Sequence, residues 1–242
     1  TSMIRVPEFD EEKYLVMVTK QGIIKRISLN AYNTARKGGL IALELNEGDE
    51  LAWVRLTDGN QQVVVATKNG LAIRFEETDV RPMGRQARGV KAISLREGDC
   101  VVGMCVVAND DLILTASETG FGRISNVSDY RLQSRGGKGI TNYHTEKYGN
   151  VAAVSAVKLD EDIIIISQEG VIIRIAADTV RICNRPSKGV TLMRIGENDK
   201  VVTVARAPHE DSESEKTEET AEEETSEENT APETNDEENT EE

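Results

Sequence analysis

An internal repeat of about fifty residues constrains the fold of this chain more than any other feature. Two apolar runs joined by a turn recur at residues 15–27, 63–75, 112–124 and 163–175. The turn glycines are Gly22, Gly70, Gly120 and Gly170, and a second glycine recurs every 50 residues at Gly39, Gly89, Gly139 and Gly189. Such a period indicates stacked units, because a single unit cannot cover its own apolar faces.

Each repeat is predicted to form four short strands, because its apolar runs are rich in Val, Ile and Leu and are bounded by Gly and Asn turns. In the second repeat the predicted strands are residues 62–67, 71–75, 90–95 and 100–107. Four strands in about fifty residues are typical of a propeller blade. The sequence therefore predicts an all-β, propeller-like disc.

The repeat also sets the predicted boundaries of the blades. They are 13–57, 58–108, 109–158 and 159–206. Residues 1–12 are predicted to be the last strand of a preceding blade, because residues 4–7 resemble residues 202–205. An acidic turn, residues 47–49, 97–99 and 197–199, precedes the last strand of three repeats, and the third repeat has Tyr148-Gly149-Asn150 there instead.

The charge of the chain is divided between two regions. The net charge is −14, yet residues 207–242 hold 17 acidic residues and one lysine, whereas residues 1–206 carry a net charge of +2. The acidic segment has too few apolar side chains to form a core and is predicted to be a disordered tail. Two roles are open for it: a solubilising tail, or an electrostatic mimic of DNA that competes for a basic surface.

The long loops between the second and third predicted strands gather basic residues beside glycine. Glycine lets the backbone approach a ligand closely, and Arg and Lys suit phosphate oxygens. The predicted phosphate-binding residues are Arg36, Lys37, Arg85, Arg88, Gln133, Arg135, Gly136, Gly137, Lys138, Gly139, Arg185 and Lys188. Secondary candidates on the hairpins are Lys25, Arg26, Arg74, Arg123 and Arg174. Regular spacing would place these cations along one rim, where they could bind a bent polyanion. The alternative is that these residues lie on ordinary solvated loops and strands, and recur only because the repeat was copied.

Other features of the sequence narrow the class of protein. Only two histidines, His144 and His209, occur, and there is no G-x-x-x-x-G-K-[ST] loop, so neither a His-based catalytic or metal site nor a phosphate loop is predicted. Aromatic residues make up 4% of the chain, too few for the stacking platforms of single-strand binders. No apolar run is long enough for a membrane helix. Duplex DNA is therefore the favoured polyanion.

A resemblance to a known family rests on one loop and on the repeat. At six of seven positions, the segment Gln133-Ser134-Arg135-Gly136-Gly137-Lys138-Gly139 resembles the box Q-[RK]-R-G-G-[RK]-G of the DNA gyrase A C-terminal domain, Ser134 being the departure. In that family the box usually lies in the first blade, and here it lies in the third of four repeats. This copy is therefore either a working box or a degenerate blade loop.

Residues 1–206 as a whole are similar to that family, and the similarity implies both a fold and a function. The implied fold is a β-pinwheel, in which neighbouring blades exchange a strand. The implied function is to wrap duplex DNA around the basic rim and so support negative supercoiling by an ATP-dependent type II topoisomerase. The four repeats resemble the last four of a longer set, so this chain would be a fragment of the family's protein. The fragment itself would be no enzyme and would need no cofactor.

The resemblance also implies a larger assembly. Its partners would be the B subunit of gyrase and a second A subunit in an A2B2 complex that uses ATP and Mg²⁺, with a cytoplasmic, nucleoid-associated location and no membrane. Two alternative functions are considered: the corresponding domain of topoisomerase IV, and a β-propeller that binds proteins. An enzyme with a site in a central channel is a weaker third, because the sequence offers no convergent catalytic set.

Overall fold

Fifteen strands were found in the part of the chain that the computed structural model describes, which is residues 4–6, 8–34 and 39–209. They are β1 Tyr14–Thr19, β2 Ile23–Ser28, β3 Leu51–Thr57, β4 Gln62–Thr67, β5 Leu71–Glu76, β6 Val90–Lys91, β7 Val101–Val107, β8 Leu112–Ser117, β9 Phe121–Asn126, β10 Ile140–Thr141, β11 Val151–Val157, β12 Glu161–Ser167, β13 Ile172–Ala176, β14 Val190–Thr191 and β15 Val201–Pro208. Short 3₁₀ helices follow the second strand of each hairpin, at Leu29–Tyr32, Glu77–Asp79, Val127–Asp129 and Ala177–Thr179.

The strands form four antiparallel sheets, which confirms the prediction of an all-β, propeller-like fold. Their strand orders are β3-β1-β2-β6, β10-β5-β4-β7, β11-β8-β9-β14 and β13-β12-β15. Each sheet is built on a hairpin whose turn ends in a glycine with positive φ, such as Gly22 at 78° and Gly70 at 81°. Glycine occupies these turns because positive φ carries little steric cost without a Cβ atom.

The third strand of the second, third and fourth repeats leaves its own repeat and joins the preceding sheet. Val90 pairs with Ile24 and Lys91 pairs with Ile23, so β6 completes the first sheet. In the same way β10 pairs with β5, and β14 pairs with β9. The strand exchange implied by the resemblance is therefore present. The prediction that residues 90–95 form one long strand is wrong, because only the first two pair before the chain turns inward.

Exchange gives the first three sheets a fourth strand, and the last sheet has three. Among the described residues no segment pairs with the outer edge of β13, and Ile172 on that strand is 62% exposed. The edge that β6, β10 and β14 occupy in the other sheets is thus open in this one.

The hydrophobic cores lie between neighbouring sheets. In β4, Val63 and Val65 face the core shared with the first sheet, whereas Val64 and Ala66 face the core shared with the third sheet. This alternation follows from the period of two along a strand. Because both faces of such a sheet are buried, its strands are apolar throughout rather than alternating.

The recurring acidic turn ties the last strand of a repeat to the first hairpin. The Oδ1 atom of Asp49 accepts hydrogen bonds from the amides of Gln21 and Glu50, at 2.9 and 2.8 Å. Asp99 and Asp199 accept from the equivalent amides. At Asp199, a hydrogen bond from the Ser167 hydroxyl makes the largest contribution to holding the pKa of the carboxyl group below its usual value. The backbone hydrogen bonds lower this pKa further. This landmark of the sequence is therefore structural.

The helix of the third repeat and the residues before β1 complete the fold. The third repeat lacks the acidic turn and instead has α1, Thr145–Tyr148, the one α-helix in the described part of the chain. None of the helices within the described ranges has the length and apolar character needed to cross a membrane. Residues 4–6 and 8–12 carry no strand, so the assignment of residues 1–12 to a preceding blade stays a prediction.

A glycine at the start of an exchanged strand provides a test of this packing. Gly189 has a φ of +81°, and a methyl group there would lie 1.9 Å from the carbonyl oxygen of Gly122. We expect Gly189→Ala to lower the free energy of unfolding by about 2–5 kcal/mol, from the unfavourable φ and the backbone clash together. Gly84→Ala is the control, because a methyl group there meets no atom within 4 Å. Equal urea midpoints for the two variants would contradict the account of the exchange.

Candidate nucleic-acid interface

The loops that precede the exchanged strands lie together at one edge of the sheets. We call this surface the rim and define it by residues 77–89, 127–139 and 177–189. The opposite edges carry β3, β7, β11 and β15, and β7 approaches β11 so closely that a methyl group on Gly103 would lie 2.6 Å from the carbonyl oxygen of Val154. Exchanged strands are thus at the edge of the first three sheets opposite to β3, β7 and β11, and the rim loops lead into them.

The box-like loop is fastened to the preceding repeat through its backbone. The amide of Gly136 donates to the carbonyl of Ala92 at 2.6 Å, and the amide of Ser94 donates to the carbonyl of Gly137 at 2.8 Å. The Ser94 hydroxyl donates to the carbonyl of Gly136, also at 2.8 Å. Gly139 turns the chain into β10 with a φ of +74°. The glycines of the box therefore permit a close backbone contact between two repeats.

Two predicted site arginines make the same contacts in successive repeats. The Nε atom of Arg135 donates to the carbonyl of Asp79 at 3.0 Å, and its Nη1 atom donates to the carbonyl of Lys91 at 3.1 Å. Fifty residues later, Arg185 donates to the carbonyls of Asp129 and Thr141 at 2.7 and 2.5 Å. Both guanidinium groups are therefore engaged by protein carbonyls.

The other predicted rim residues differ in how available their charge is. Lys138 is exposed. Arg88 is exposed but pairs with Glu44 at 2.7 Å. The ammonium group of Lys188 lies 3.5 Å from the centre of the Phe121 ring, and Arg85 is half-buried.

Three further residues are predicted to bind phosphate, and the structure describes one of them. Arg36 and Lys37 lie outside the described residues, so their role stays a prediction. Gln133 is half-buried, and its backbone N–H donates to the carbonyl of Arg74 at 2.9 Å.

Four of the five secondary candidates are buried and are therefore not available to phosphate. Lys25 and Arg123 are 0% exposed, Arg26 is 7% exposed and Arg74 is 6% exposed. The prediction that these side chains extend the row of DNA-binding cations is wrong, because the stacking of sheets covers both faces of the hairpins. Burial lowers the pKa values of Lys25, Arg74 and Arg123. Arg174 is the partly exposed member and pairs with Asp162 at 2.6 Å.

Arg26 and Arg74 have a shared structural task, which is to anchor the rim loop of the following repeat. An Nη1 atom of Arg26 lies 3.8 Å from a carboxylate oxygen of Glu77, where the rim loop of the second repeat begins. Arg74 donates to the carbonyls of Val127 and Tyr130 in the rim loop of the third repeat, at 2.9 and 3.1 Å. The contact of Arg26 is an ion pair, whereas Arg74 donates charged hydrogen bonds, which are stronger than neutral ones and hold the loop in place.

Arg123 is not equivalent to the other hairpin arginines. Counted from the turn glycine, Arg26 and Arg74 are four residues along, whereas Arg123 is three residues along, as Lys25 is. A shift of one residue turns a side chain to the other face of a strand. Arg123 accordingly donates to the Asn142 carbonyl at 2.7 Å and lies over the ring of Tyr143. The apparent recurrence of arginine in four repeats thus combines two different positions.

A second periodic set of cations on the rim was missed by the sequence reasoning. Arg81, Arg131 and Arg181 are spaced by 50 residues, and all three are exposed. Each follows directly on a buried residue at the end of the 3₁₀ turn, Val80, Tyr130 or Val180. The spacing is readable in the sequence, but these arginines have no adjacent glycine and so do not share the pattern of the other basic loop residues.

Each of these arginines is held at the same place by its own backbone. The next residue forms a parallel bridge to the preceding sheet: Pro82 to Arg26, Leu132 to Arg74 and Ile182 to Ile124. Neither Arg81 nor Arg181 has an ion pair or a side-chain hydrogen bond within the described residues. Arg131 donates from its Nη2 atom to the side-chain oxygen of Gln133 at 3.5 Å. The rim therefore carries one exposed guanidinium group on each of three successive repeats.

The fold is that of a propeller-like domain, and sequence comparison identifies the family. The chain matches the family described as DNA gyrase C-terminal domain, beta-propeller, over residues 13–58, 61–107, 111–158 and 161–208. The chain belongs to this family.

Individual relatives agree with this assignment. The chain is 54% identical over 90 residues to the DNA gyrase A subunit of Clostridium acetobutylicum and 54% identical over 91 residues to that of Halalkalibacterium halodurans. These alignments cover 37% and 38% of this chain and 11% of each relative, so the matched part is about a tenth of their length.

Two solved structures share the fold. The crystal structure of the C-terminal domain of DNA topoisomerase IV matches with a TM-score of 0.80 and 26% identity, covering 91% of this chain and 69% of that one. A structure of the DNA gyrase A C-terminal domain matches with a TM-score of 0.74 and 28% identity, covering 84% of this chain and 68% of that one.

Proposed function

We propose that this domain binds duplex DNA along the rim and bends it. The observation that carries the proposal is the row formed by Arg81, Arg131 and Arg181, exposed at equivalent places in successive repeats. Lys91 and Lys138 are exposed beside this row. Regularly spaced cations suit the phosphate backbone, which carries charge at regular intervals and presents no sequence information.

Bending has a free-energy cost that the rim must offset. A smooth bend of about 40–90° costs on the order of 1–6 kcal/mol. Each phosphate contact releases counterions and so makes binding depend on salt, with a slope of about −0.9 per contact. Several contacts in succession can therefore offset the bend at low salt, and the complex should weaken steeply as salt rises.

The role in the whole protein is a further part of the proposal. By its family, the domain would deliver wrapped DNA to a type II topoisomerase and support negative supercoiling, in a cytoplasmic assembly on the bacterial nucleoid. ATP, Mg²⁺, the B subunit of gyrase and a second A subunit would act through other parts of that A2B2 assembly. In the described residues no group of three His, Cys, Asp or Glu side chains is placed to hold a metal ion.

A titration of duplexes of increasing length tests the binding proposal. Residues 1–206 are titrated with duplexes of different lengths at two salt concentrations, with a dye pair at the DNA ends to report bending. We expect tighter binding to longer duplexes, a decrease in end-to-end distance and strong weakening at the higher salt. Absence of binding at low salt would reject the DNA proposal and favour a propeller that binds proteins.

Deletion of residues 207–242 tests the proposed competition between the acidic segment and DNA. This segment carries a net charge of −16, and the structure describes only its first three residues. If the segment competes for the rim, its deletion will tighten DNA binding at low salt and have a smaller effect at high salt, because salt screens exposed charges. Equal affinities at low salt, measured by fluorescence anisotropy, would reject the competition.

A further inference from the structure

The box arginine is held in a fork between two segments of the preceding repeat. Arg135 reaches Asp79, the last residue of the 3₁₀ helix Glu77–Asp79, and Lys91, the last residue of β6. Arg185 repeats this arrangement on Asp129 and Thr141, the ends of the corresponding elements. Identical contacts in two repeats with different loop sequences indicate a role in the architecture rather than a chance contact.

The carbonyls that the arginines bind are ones that the local structure leaves available. The last carbonyls of a helix have no partner within the helix, and a two-residue strand leaves polar groups at its end. A hydrogen bond from a charged donor is worth more than a neutral one. Each arginine therefore connects the 3₁₀ turn, the exchanged strand of one repeat and the rim loop of the next.

The geometry of the fork requires a guanidinium group. Arg135 uses Nε and Nη1, two donors fixed in one plane, toward two acceptors 12 residues apart in sequence. A lysine has a single ammonium group on a flexible stem and cannot reproduce two such bonds in a fixed geometry. Charge alone would be supplied equally well by either residue.

We propose that Arg135 and Arg185 are positioning residues that clasp successive repeats, and that DNA phosphates are bound by the neighbouring exposed cations. This inference rests on the proposed function only for its second half. Lys138 is exposed three residues after Arg135, and Arg131 is exposed four residues before it. The clasp fixes the loop that carries both cations and thereby sets their spacing along the rim.

Substitution by lysine separates the two roles, because it keeps the charge and removes the fork. The variants are Arg135→Lys, Arg135→Ala and, as the matched control for a charge on the same loop, Lys138→Ala. Arg185→Lys repeats the test in the next repeat. A thermal melt confirms that each variant is folded.

The first measurement is amide hydrogen exchange without DNA. We expect Arg135→Lys and Arg135→Ala both to accelerate exchange at Gly136 and Ser94 by about tenfold or more, the loss expected for charged hydrogen bonds. Lys138→Ala should leave these rates unchanged. Unchanged exchange in Arg135→Lys would overturn the clasp.

The second measurement is DNA bending and its dependence on salt. We expect Arg135→Lys to lose as much bending as Arg135→Ala, and Lys138→Ala to reduce the salt slope by about 0.9. Full rescue of bending by Arg135→Lys would show that the residue acts through its charge and would overturn the inference. Failure of the unsubstituted protein to bind DNA would reject the proposed function, whereas the exchange measurement would still decide the clasp.

Discussion

Replacement of Arg81, Arg131 and Arg181 with alanine is expected to weaken DNA binding by about two to three orders of magnitude at 0.1 M salt. The three side chains are exposed on successive repeats, and each is held in place by a backbone bridge in the following residue. Loss of three phosphate contacts should also reduce the salt slope by about 2.7, at about 0.9 per contact. Fluorescence anisotropy over a range of salt concentrations measures both quantities.

A second triple variant controls for the change in net charge. Arg55, Lys158 and Arg206 are exposed and line a cavity beside β7 and β11, at the opposite edge of the sheets. Their replacement with alanine also removes three positive charges, so the net charge of the two triple variants is the same. We expect it to change affinity only by long-range attraction and to leave the salt slope nearly unchanged. Equal losses in the two triple variants would contradict the assignment of DNA binding to the rim.

Replacement of Glu77 with alanine is expected to lower the free energy of unfolding by about 3–5 kcal/mol. The carboxylate is 1% exposed and accepts hydrogen bonds from the Thr57 hydroxyl at 2.6 Å and the Gln61 amide at 2.7 Å. It is also the carboxylate nearest to the buried Arg26, at 3.8 Å. Its removal leaves an uncompensated charge and two donors without their acceptor, which is why the effect is large.

The measurement is urea unfolding, with Glu97→Ala as the control. Glu97 is exposed in the acidic turn of the same repeat, and surface substitutions away from special contacts usually change stability by less than about 0.5 kcal/mol. Because Glu77 begins the rim loop that leads to Arg81, its loss should also weaken DNA binding. A loss of stability below about 1 kcal/mol would show that the pair with Arg26 contributes little.

The sequence alone was sufficient to predict the period of the fold and the places of its turns. Gly22, Gly70 and Gly120 are turn residues with positive φ, as their spacing predicted. The runs at 62–67 and 71–75 are strands β4 and β5, to within one residue. These features are local, because a turn glycine and an apolar strand follow from backbone conformation and side-chain period.

The features that could not be predicted from the residues depend on contacts between repeats. Val90–Lys91 pairs with β2 rather than within its own repeat, and this choice depends on the stacking of sheets. The same stacking buries Lys25 and Arg74, which sequence reasoning had placed among the DNA-binding residues. Basic residues beside glycine are recognisable as candidate phosphate-binding residues, whereas Arg131 is marked as a candidate only by its recurrence every 50 residues.

The central claim, that the rim wraps duplex DNA, is tested most directly by the topology of closed DNA circles. Nicked circular DNA is sealed by a ligase in the presence of residues 1–206, and the linking number is measured after removal of the protein. We predict a shift in linking number that grows with protein concentration and is lost in the Arg81, Arg131 and Arg181 triple variant. An unchanged linking number at concentrations that saturate the DNA would contradict wrapping by this domain.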